Sequence, residues 1–404
     1  MTDHGVQEHR VLHIGKYFPP RFGGMETYLS DLMNVQKRSG MAVAAVVHQH
    51  LPSIRASHEG EEGTTNAAKA AHIYRAARWF NIGVVPFAPL FALTLAKAIK
   101  EFRPTVLHIH HPNASGVWAL LLPSARRLPW VATWHADILT PEASFAIKLG
   151  YQLYRPLQHA QLARTQRVLA TSELYRSGSA ALTALAPRCE VLPLGLDEQR
   201  MPPMGAREVS GEALDTTPVP LRILSVGRIA SYKGFTHLLK ALEYLPEATL
   251  TMVVSGSPSE ITALETQIAH LGLTPRVSLK KNLSDAELWD QYRACQVFCL
   301  PSTDKTEAFG MVLLEAKHFN RPVVACDIPD SGVPWVAAKC GRFALAQPGN
   351  AQSLASAIER VTAFENGHPS SSGESAEIFS LENQAKRLNV VYQQASEAFN
   401  NRGR

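Results

Sequence analysis

Short apolar runs separated by amphipathic stretches repeat along most of the chain. The first run is residues 10–15, and a Gly23-Gly24 turn follows it. Met25, Leu29, Leu32 and Met33 then recur at helical spacing, Gly40 stops the helix, and residues 42–48 form a second, valine-rich run. That order predicts a β-α-β unit. Further strands are predicted at 105–109, 130–133, 167–171 and 190–193, and several lack polar alternation, as strands covered on both faces do. Residues 200–220 break the pattern, with four prolines, two glycines and no apolar periodicity, and read as a linker. The same alternation then restarts, with strands predicted at 221–226, 249–255, 276–279, 297–300 and 322–326. Two helices between them open on Ser-x-x-Glu capping boxes, Ser257 with Glu260 and Ser284 with Glu287. A polar loop at 366–374 leads to a last helix at about 381–399, where Leu381, Ala385, Leu388 and Tyr392 make an apolar stripe.

The fold class that follows is α/β, with two Rossmann-like, doubly wound parallel-sheet domains. A ligand is expected at the C-terminal ends of the strands, in the crevice between the domains. The domains are placed at residues 1–199 and 221–375, joined by a linker at 200–220, and residues 376–404 are assigned to a helix returning to the first domain.

Composition narrows the class. The 404 residues exceed one ordinary core, 46% are apolar and 19% are charged, so the chain is globular rather than disordered. Five scattered cysteines contain no CxxC pair, so neither a disulfide framework nor a zinc ribbon is expected. Residues 1–10 are polar, with charges of both signs and no apolar core of a signal peptide, which points to the cytoplasm. The net charge of +5 suits a small anionic substrate or an anionic membrane surface, and no nucleic-acid motif is present. Residues 79–96 are uncharged but hold Asn81, Gly83, Pro86 and Pro89, and are read as a buried loop leading into a helix at 90–102. The alternative is a surface that dips into a bilayer, with Arg75, Arg78, Lys97, Lys100 and Arg103 as basic flanks. It makes peripheral contact at the inner face of the plasma membrane an option.

No G-x-G-x-x-G follows a strand, and GxxxxGK[ST] and GxSxG are absent, which counts strongly against a dinucleotide oxidoreductase or a P-loop NTPase and leaves no nucleophile elbow. The sharpest local feature is the stretch from Thr306 to Ala316. Glu307 follows a strand and a turn, Phe309-Gly310 opens an apolar helix, and Glu315 is read two turns inside it. A helix N-terminus there offers free N–H groups to an anion, with carboxylates on either side for the polar parts of a ligand. Spacing alone favours an ordinary helix with a first-turn acid and one exposed Glu. His108, His110 and His111 raise a metal reading, but His111 faces away from the other two and no carboxylate completes the set, so a structural role is expected and no metal.

Glu307 and Glu315, eight apart around a Phe-Gly helix start, resemble the E-x7-E motif of the family 4 glycosyltransferases, which have the GT-B fold. The resemblance runs in order from about residue 10 to 345. Phe18-Pro19-Pro20 and Gly23-Gly24-Met25-Glu26 resemble the family's first-strand loop, and Trp134-His135-Ala136-Asp137 resembles a T-W-H-S-D variant. The stretch Leu192 to Asp197 resembles the P-N-G-V-D segment, and Val226 to Gly234 resembles the diphosphate grip. Ser255-Gly256-Ser257-Pro258 resembles the G-x-G-P turn, and Asp327 to Trp335 a late motif of bacterial surface-polysaccharide members. Asp304 and Lys305 enlarge the turn before Glu307, and Trp335 and the stretch Lys339 to Arg342 depart from the commonest pattern, which could retune the donor pocket.

The resemblance implies a retaining transfer of a sugar from a nucleoside diphosphate sugar, GDP-mannose or a UDP-sugar, to a hydroxyl of a lipid-linked or oligosaccharide acceptor in polysaccharide synthesis. It implies no cofactor beyond the donor substrate and no nucleic-acid partner. Arg228 and Lys233 would meet charge on the leaving diphosphate, Glu307 the donor sugar and Glu315 the ribose. Backbone N–H groups near Phe309, Gly310 and Met311 would touch hydroxyls and phosphate; Gly23, Gly24 and Gly256 complete the donor-binding set. His135 would lie beside donor sugar and acceptor, with Glu26 and Asp137 on the acceptor side. The alternatives are another GT-B chemistry, such as sugar-nucleotide epimerisation or phosphorolysis, and a non-catalytic sugar-nucleotide-binding protein. The last would be expected to have lost Glu307, Arg228 or Lys233, and all three are present.

Overall fold

The computed structural model describes residues 9–21, 23–59, 72–82, 85–137, 145–203, 220–363 and 377–402. Contacts divide the chain into two units, Met1–Asp197 with Leu381–Arg404, and Glu198–Ser380. Residues 204–219 of the expected linker, and the loop at 366–374, lie outside the described residues. Arg200, at the start of the expected linker, is already part of the second unit, 3.0 Å from Asp285 Oδ2.

The first unit is built on an eight-stranded sheet. Its strands are β1 (Arg10–Ile14), β2 (Ala42–His48), β3 (Ser57–Glu59) and β4 (His72–Ala76). After a separate hairpin of β5 (Phe80–Ile82) and β6 (Val85–Phe87), it continues with β7 (Val106–His111), β8 (Trp130–Trp134), β9 (Arg167–Ala170) and β10 (Cys189–Val191). The sheet order is β10-β9-β8-β7-β1-β2-β4-β3, parallel except for β3 against β4. β1, β2, β7 and β8 are buried on both faces, which is why their sequences do not alternate. Leu12, Ile14, Val46, Phe91, Leu95 and Trp130 meet in the core. β4 escaped the apolar pattern because Arg75 lies within it; the Nη2 of the buried guanidinium donates to the Pro19 carbonyl at 2.7 Å.

Residues 79–89 are not the buried loop that their lack of charge suggested. Within them Phe80–Ile82 pairs with Val85–Phe87 as the β5–β6 hairpin, with Trp79, Phe80 and Phe87 exposed and the Phe80 and Phe87 rings stacked at 4.8 Å. The helix after it runs Phe91–Phe102.

Helix Leu381–Arg402 packs on helix Gly24–Arg38 and on β8. Leu381, Ala385, Leu388 and Tyr392 are its buried stripe, and each fully buried leucine contributes about 1.5–3 kcal/mol. Arg38 fixes the helix start, forking onto both Asp197 oxygens (3.0 and 2.8 Å) and reaching Glu382 at 3.1 Å.

The second unit has a six-stranded, wholly parallel sheet of β11 (Leu221–Arg228), β12 (Ala248–Ser255), β13 (Val277–Lys281), β14 (Val297–Leu300), β15 (Val323–Cys326) and β16 (Phe343–Ala346), in the order β13-β12-β11-β14-β15-β16. Both capping boxes form, each with reciprocal side-chain and backbone bonds. β16, a four-residue edge strand, was not foreseen. All five cysteines are buried free thiols. In each sheet the chain starts in the middle and reverses direction across it, so the neighbours β1/β7 and β11/β14 mark the points where a ligand crevice opens at the strand ends.

Candidate active site

In the second unit the switch point brings two distant segments together. β11 ends at Arg228, and a single 3-10 turn, Ser231–Lys233, carries the chain back over the strand end. Gly234 closes that turn with φ 67°, and a Cβ on it would lie 2.0 Å from the Pro301 carbonyl oxygen, so only glycine fits. The Lys233 ammonium is thereby laid over Gly227 and against Glu307 Oε2, from the loop after β14. Burial opposes the charge on Lys233, but attraction to Glu307, together with Tyr232, outweighs it and raises the pKa above the ordinary lysine value.

Glu307 is held from three sides. Ser302 Oγ donates to its Oε2 at 3.1 Å, Ser331 Oγ donates to its carbonyl at 2.5 Å, and Asp304 O accepts its backbone N–H at 3.1 Å. Asp304 Oδ1 also accepts from Thr306 N at 2.8 Å, so the residue that enlarged the turn in the sequence forms it in the fold. Arg228 is exposed, and its Nη2 lies 3.5 Å from the Tyr232 hydroxyl. Tyr232 therefore sits beside both cations, with Lys233 Nζ 5.7 Å from its ring centroid. Gly256, at the end of β12, lies against Ile229 and the Glu260 carboxylate.

Gly310 begins helix Met311–His318 in a left-handed conformation, φ 80°, which turns the chain sharply from the Glu307 loop into the helix. The first N–H groups of a helix have no intrahelical acceptor and can serve an anion or a hydroxyl. The Phe309 ring is buried near Trp335 and Phe379, at 6.5 and 6.1 Å, so only its backbone can meet a ligand. Glu315 lies little more than one turn inside the helix, not two, because the helix starts at Met311. It is buried, and its Oε2 accepts from the Tyr292 hydroxyl at 2.8 Å. Burial raises its pKa, with Arg200 and the Tyr292 hydrogen bond pulling the other way. Tyr292, Ser302, Ser331 and Tyr232 support the site; Tyr232 and Ser331 lie within resembling segments, whereas no motif pointed to Tyr292 or Ser302.

In the first unit the loop after β1 and the ends of β7 and β8 carry the remaining residues. Gly23 and Gly24 are exposed, and Glu26, buried in the first helical turn, folds its carboxylate back over Gly23. Asp137 braces its own loop. Its Oδ1 accepts from Trp134 Nε1 (3.0 Å) and Ser179 Oγ (2.8 Å), and its N–H meets the Tyr175 hydroxyl at 2.7 Å. His135 is buried, its N–H bound to the His111 carbonyl at 2.9 Å and its ring edge-on to Tyr28. Its Nε2 lies 3.1 Å from His110 Nδ1, while its buried Nδ1 has no protein partner among the described residues. Burial pulls the His135 pKa down to about 3.

Behind it, His13, His108 and His110 put ring nitrogens within 4.8 Å of one another, a group with no carboxylate. Those nitrogens lie within hydrogen-bond distance of one another and of Gln36, Tyr392 and Thr133. His111 stands apart, 5.1 Å from the Trp134 ring.

Residues 22–200 match the Glycosyltransferase Family 4 model and residues 214–376 the Glycosyl transferases group 1 model. The O-antigen chain mannosyltransferase C of Escherichia coli is 29% identical over 363 residues, which cover 87% of this chain and 88% of that protein. Sucrose-phosphate synthase from Thermosynechococcus elongatus has a similar structure, with a TM-score of 0.75 and 18% identity over 96% of this chain and 98% of that one. Anabaena HepE in complex with UDP and glucose gives a TM-score of 0.69 and 19% identity over 95% and 99%. At such identities the structural likeness speaks for the fold alone. With both halves matched in order and the E-x7-E glutamates in place around the helix start, the chain belongs to the family 4 glycosyltransferases of the GT-B fold.

Proposed function

We propose that the protein transfers a sugar, with retention of configuration, from a nucleoside diphosphate sugar to a hydroxyl of a lipid-linked saccharide during surface-polysaccharide synthesis. The observation that carries the reading is the pair of buried Lys233 and partly buried Glu307 at the β11/β14 switch point, with Glu315 on the helix that follows. Charge builds on the diphosphate as the glycosidic bond breaks, and Lys233 and Arg228 supply fixed positive charge for it. Glu307 accepts from sugar hydroxyls and Glu315 from the ribose, which displaces the Tyr292 hydroxyl or shares the carboxylate with it. Helix N–H groups at Gly310 and Met311 meet phosphate and sugar oxygens. The resemblance gives His135, Gly23, Gly24 and Glu26 of the first unit roles toward the sugar, phosphate and acceptor; the two bonds at its Oδ1 make Asp137 a support for that loop. In a front-side displacement the leaving phosphate takes the acceptor proton, and no carboxylate forms a lasting covalent intermediate.

The mannosyltransferase relative supports GDP-mannose as the first donor to try, and the UDP complex of HepE supports UDP-sugars as the second. No helix among the described residues is long and apolar enough to cross a membrane. Work at the inner membrane face then rests on peripheral contact. The test is a panel of nucleotide sugars scored by thermal shift and by donor hydrolysis, with excess chelator in parallel. One donor should raise the melting temperature and be hydrolysed slowly, with full activity in chelator. Activity lost in chelator and restored by manganese would refute the metal-free diphosphate grip, and no stabilisation by any donor would refute the donor site.

A further inference from the structure

A hydrogen-bonded line of side chains runs through the core of the first unit and ends at His135. Gln36 Nε2 donates to the Tyr392 hydroxyl at 3.0 Å, and Gln36 Oε1 lies 2.8 Å from His13 Nε2. His13 Nδ1 lies 3.0 Å from His110 Nε2, and His110 Nδ1 lies 3.1 Å from His135 Nε2. All five residues are buried. Tyr392 continues a side branch to His108 Nδ1 (2.8 Å), whose Nε2 meets Thr133 Oγ1 at 2.8 Å.

We propose that Gln36, His13 and His110 are positioning residues that fix the proton of His135 on Nε2 and leave its Nδ1 as a lone-pair acceptor for a hydroxyl of the bound sugar. With Gln36 Oε1 facing His13 Nε2, matching donors to acceptors along the line sets every proton. An amide oxygen only accepts, so His13 must carry its proton on Nε2. A neutral imidazole has one ring proton, so His13 Nδ1 is a lone pair and His110 must donate from Nε2. His110 Nδ1 then accepts, which requires the proton of His135 on Nε2. The one nitrogen of the line without a protein partner among the described residues is His135 Nδ1. Burial keeps His13 and His135 neutral, at about 4 and about 3, and His110 well below its ordinary value, so the one-proton rule holds at neutral pH. The amide of Gln36 sets the direction, since turning it over would invert every bond and move the His135 proton to Nδ1.

A sugar hydroxyl meeting His135 Nδ1 therefore donates its own proton. The functional half of this proposal rests on the placing of His135 beside the sugar, whereas the tautomer does not. The experiment is ring-nitrogen NMR on the full chain labelled with 15N-histidine, with His135 assigned from a His135→Asn variant. At neutral pH His135 should show a protonated Nε2 and a lone-pair Nδ1. Gln36→Met removes the anchor and should spread the His135 proton over both nitrogens, with the donor KM rising about tenfold, the scale of one hydrogen bond, and kcat less affected. His13→Phe should do the same if Gln36→Met fails to fold. His108→Phe disturbs the same core on the side branch and should leave the His135 pattern as in the wild type. A proton on Nδ1 in the wild type, an unchanged pattern in Gln36→Met and His13→Phe, or an equal shift in His108→Phe overturns the relay. If the tautomer pattern holds but neither GDP-mannose nor UDP-glucose moves the Nδ1 resonance, the relay stands and the placing of His135 at the sugar fails.

Discussion

Lys233 and Glu307 share one contact away from water, and breaking it from either side strands a charge. A buried pair is weak evidence for stability, because the desolvation it suffers rivals the attraction it gains, yet removing one partner commonly costs about 3–5 kcal/mol. Lys233→Ala should therefore lower both folding stability and turnover, and the single variant cannot separate the two. The double variant Lys233→Ala with Glu307→Gln removes the stranded charge along with its partner. Its melting temperature should return toward the wild type, while kcat stays lower by at least about 10²–10³, the usual cost of one electrostatic stabiliser of the transition state. Nucleotide affinity by calorimetry should fall less in Glu307→Gln alone than in Lys233→Ala. A double variant that recovers both melting temperature and turnover would make the pair a structural bridge and move the diphosphate grip elsewhere.

At the scale of elements, the β5–β6 hairpin shows where local sequence falls short. Residues 79–89 are uncharged, and lack of charge alone does not distinguish a buried loop from an exposed aromatic hairpin; Trp79, Phe80 and Phe87 face outward, with Leu90 and Leu93 just beyond. Two of the five basic flanks are also spent inside the fold, Arg75 on Pro19 and Arg78 on the Gln49 and His50 carbonyls, leaving Lys97, Lys100 and Arg103 exposed. The hairpin should insert its rings into anionic vesicles, and Trp79→Ser with Phe80→Ser should weaken flotation several-fold. Unchanged flotation would shift the contact to the exposed stripe Leu149, Leu153 and Leu157 on helix Phe145–Arg164. By contrast, the central strands and both capping boxes were legible, because continuous apolar runs and Ser-x-x-Glu spacing are local signals. The E-x7-E glutamates were legible as a motif, but not their partners: Tyr292 reaches Glu315 across 23 residues, and Lys233 reaches Glu307 across 74. Such pairings follow from strand order, which places β14 beside β11, and not from any window of sequence.

Across the whole molecule the buried titratable groups are unevenly shared. His9, His13, His48, His108, His110, His111 and His135 are the buried histidines among the described residues, and all belong to the first unit. Burial holds them neutral: His13, His48 and His111 are pulled down to about 4 and His135 to about 3, from an ordinary value of 6.5. A depressed histidine means that the unfolded chain binds the proton first. Their contribution is thus fully present above pH 6.5 and is lost as pH falls from 6.5 toward 4, by up to about 1.4 kcal/mol per pH unit for each independent group. The stacked histidines interact, so the total is less than the sum of separate groups. The second unit carries the opposite sign at Glu315, whose burial raises its pKa and favours the folded state as pH falls. Calorimetry of the full chain should therefore show one unit losing its melting temperature steeply between pH 6.5 and 4 while the other moves little. Hydrogen exchange at pH 5 should assign the early loss to β1, β7 and β8 and to helix Leu381–Arg402, which closes over the histidine line through Tyr392. His13→Phe with His110→Phe should flatten that dependence even if it lowers stability at pH 7. Equal acid sensitivity of both units, or early loosening of β11, β12 and β14 instead, would mean that carboxylate pairs and not buried imidazoles set the acid limit of this protein.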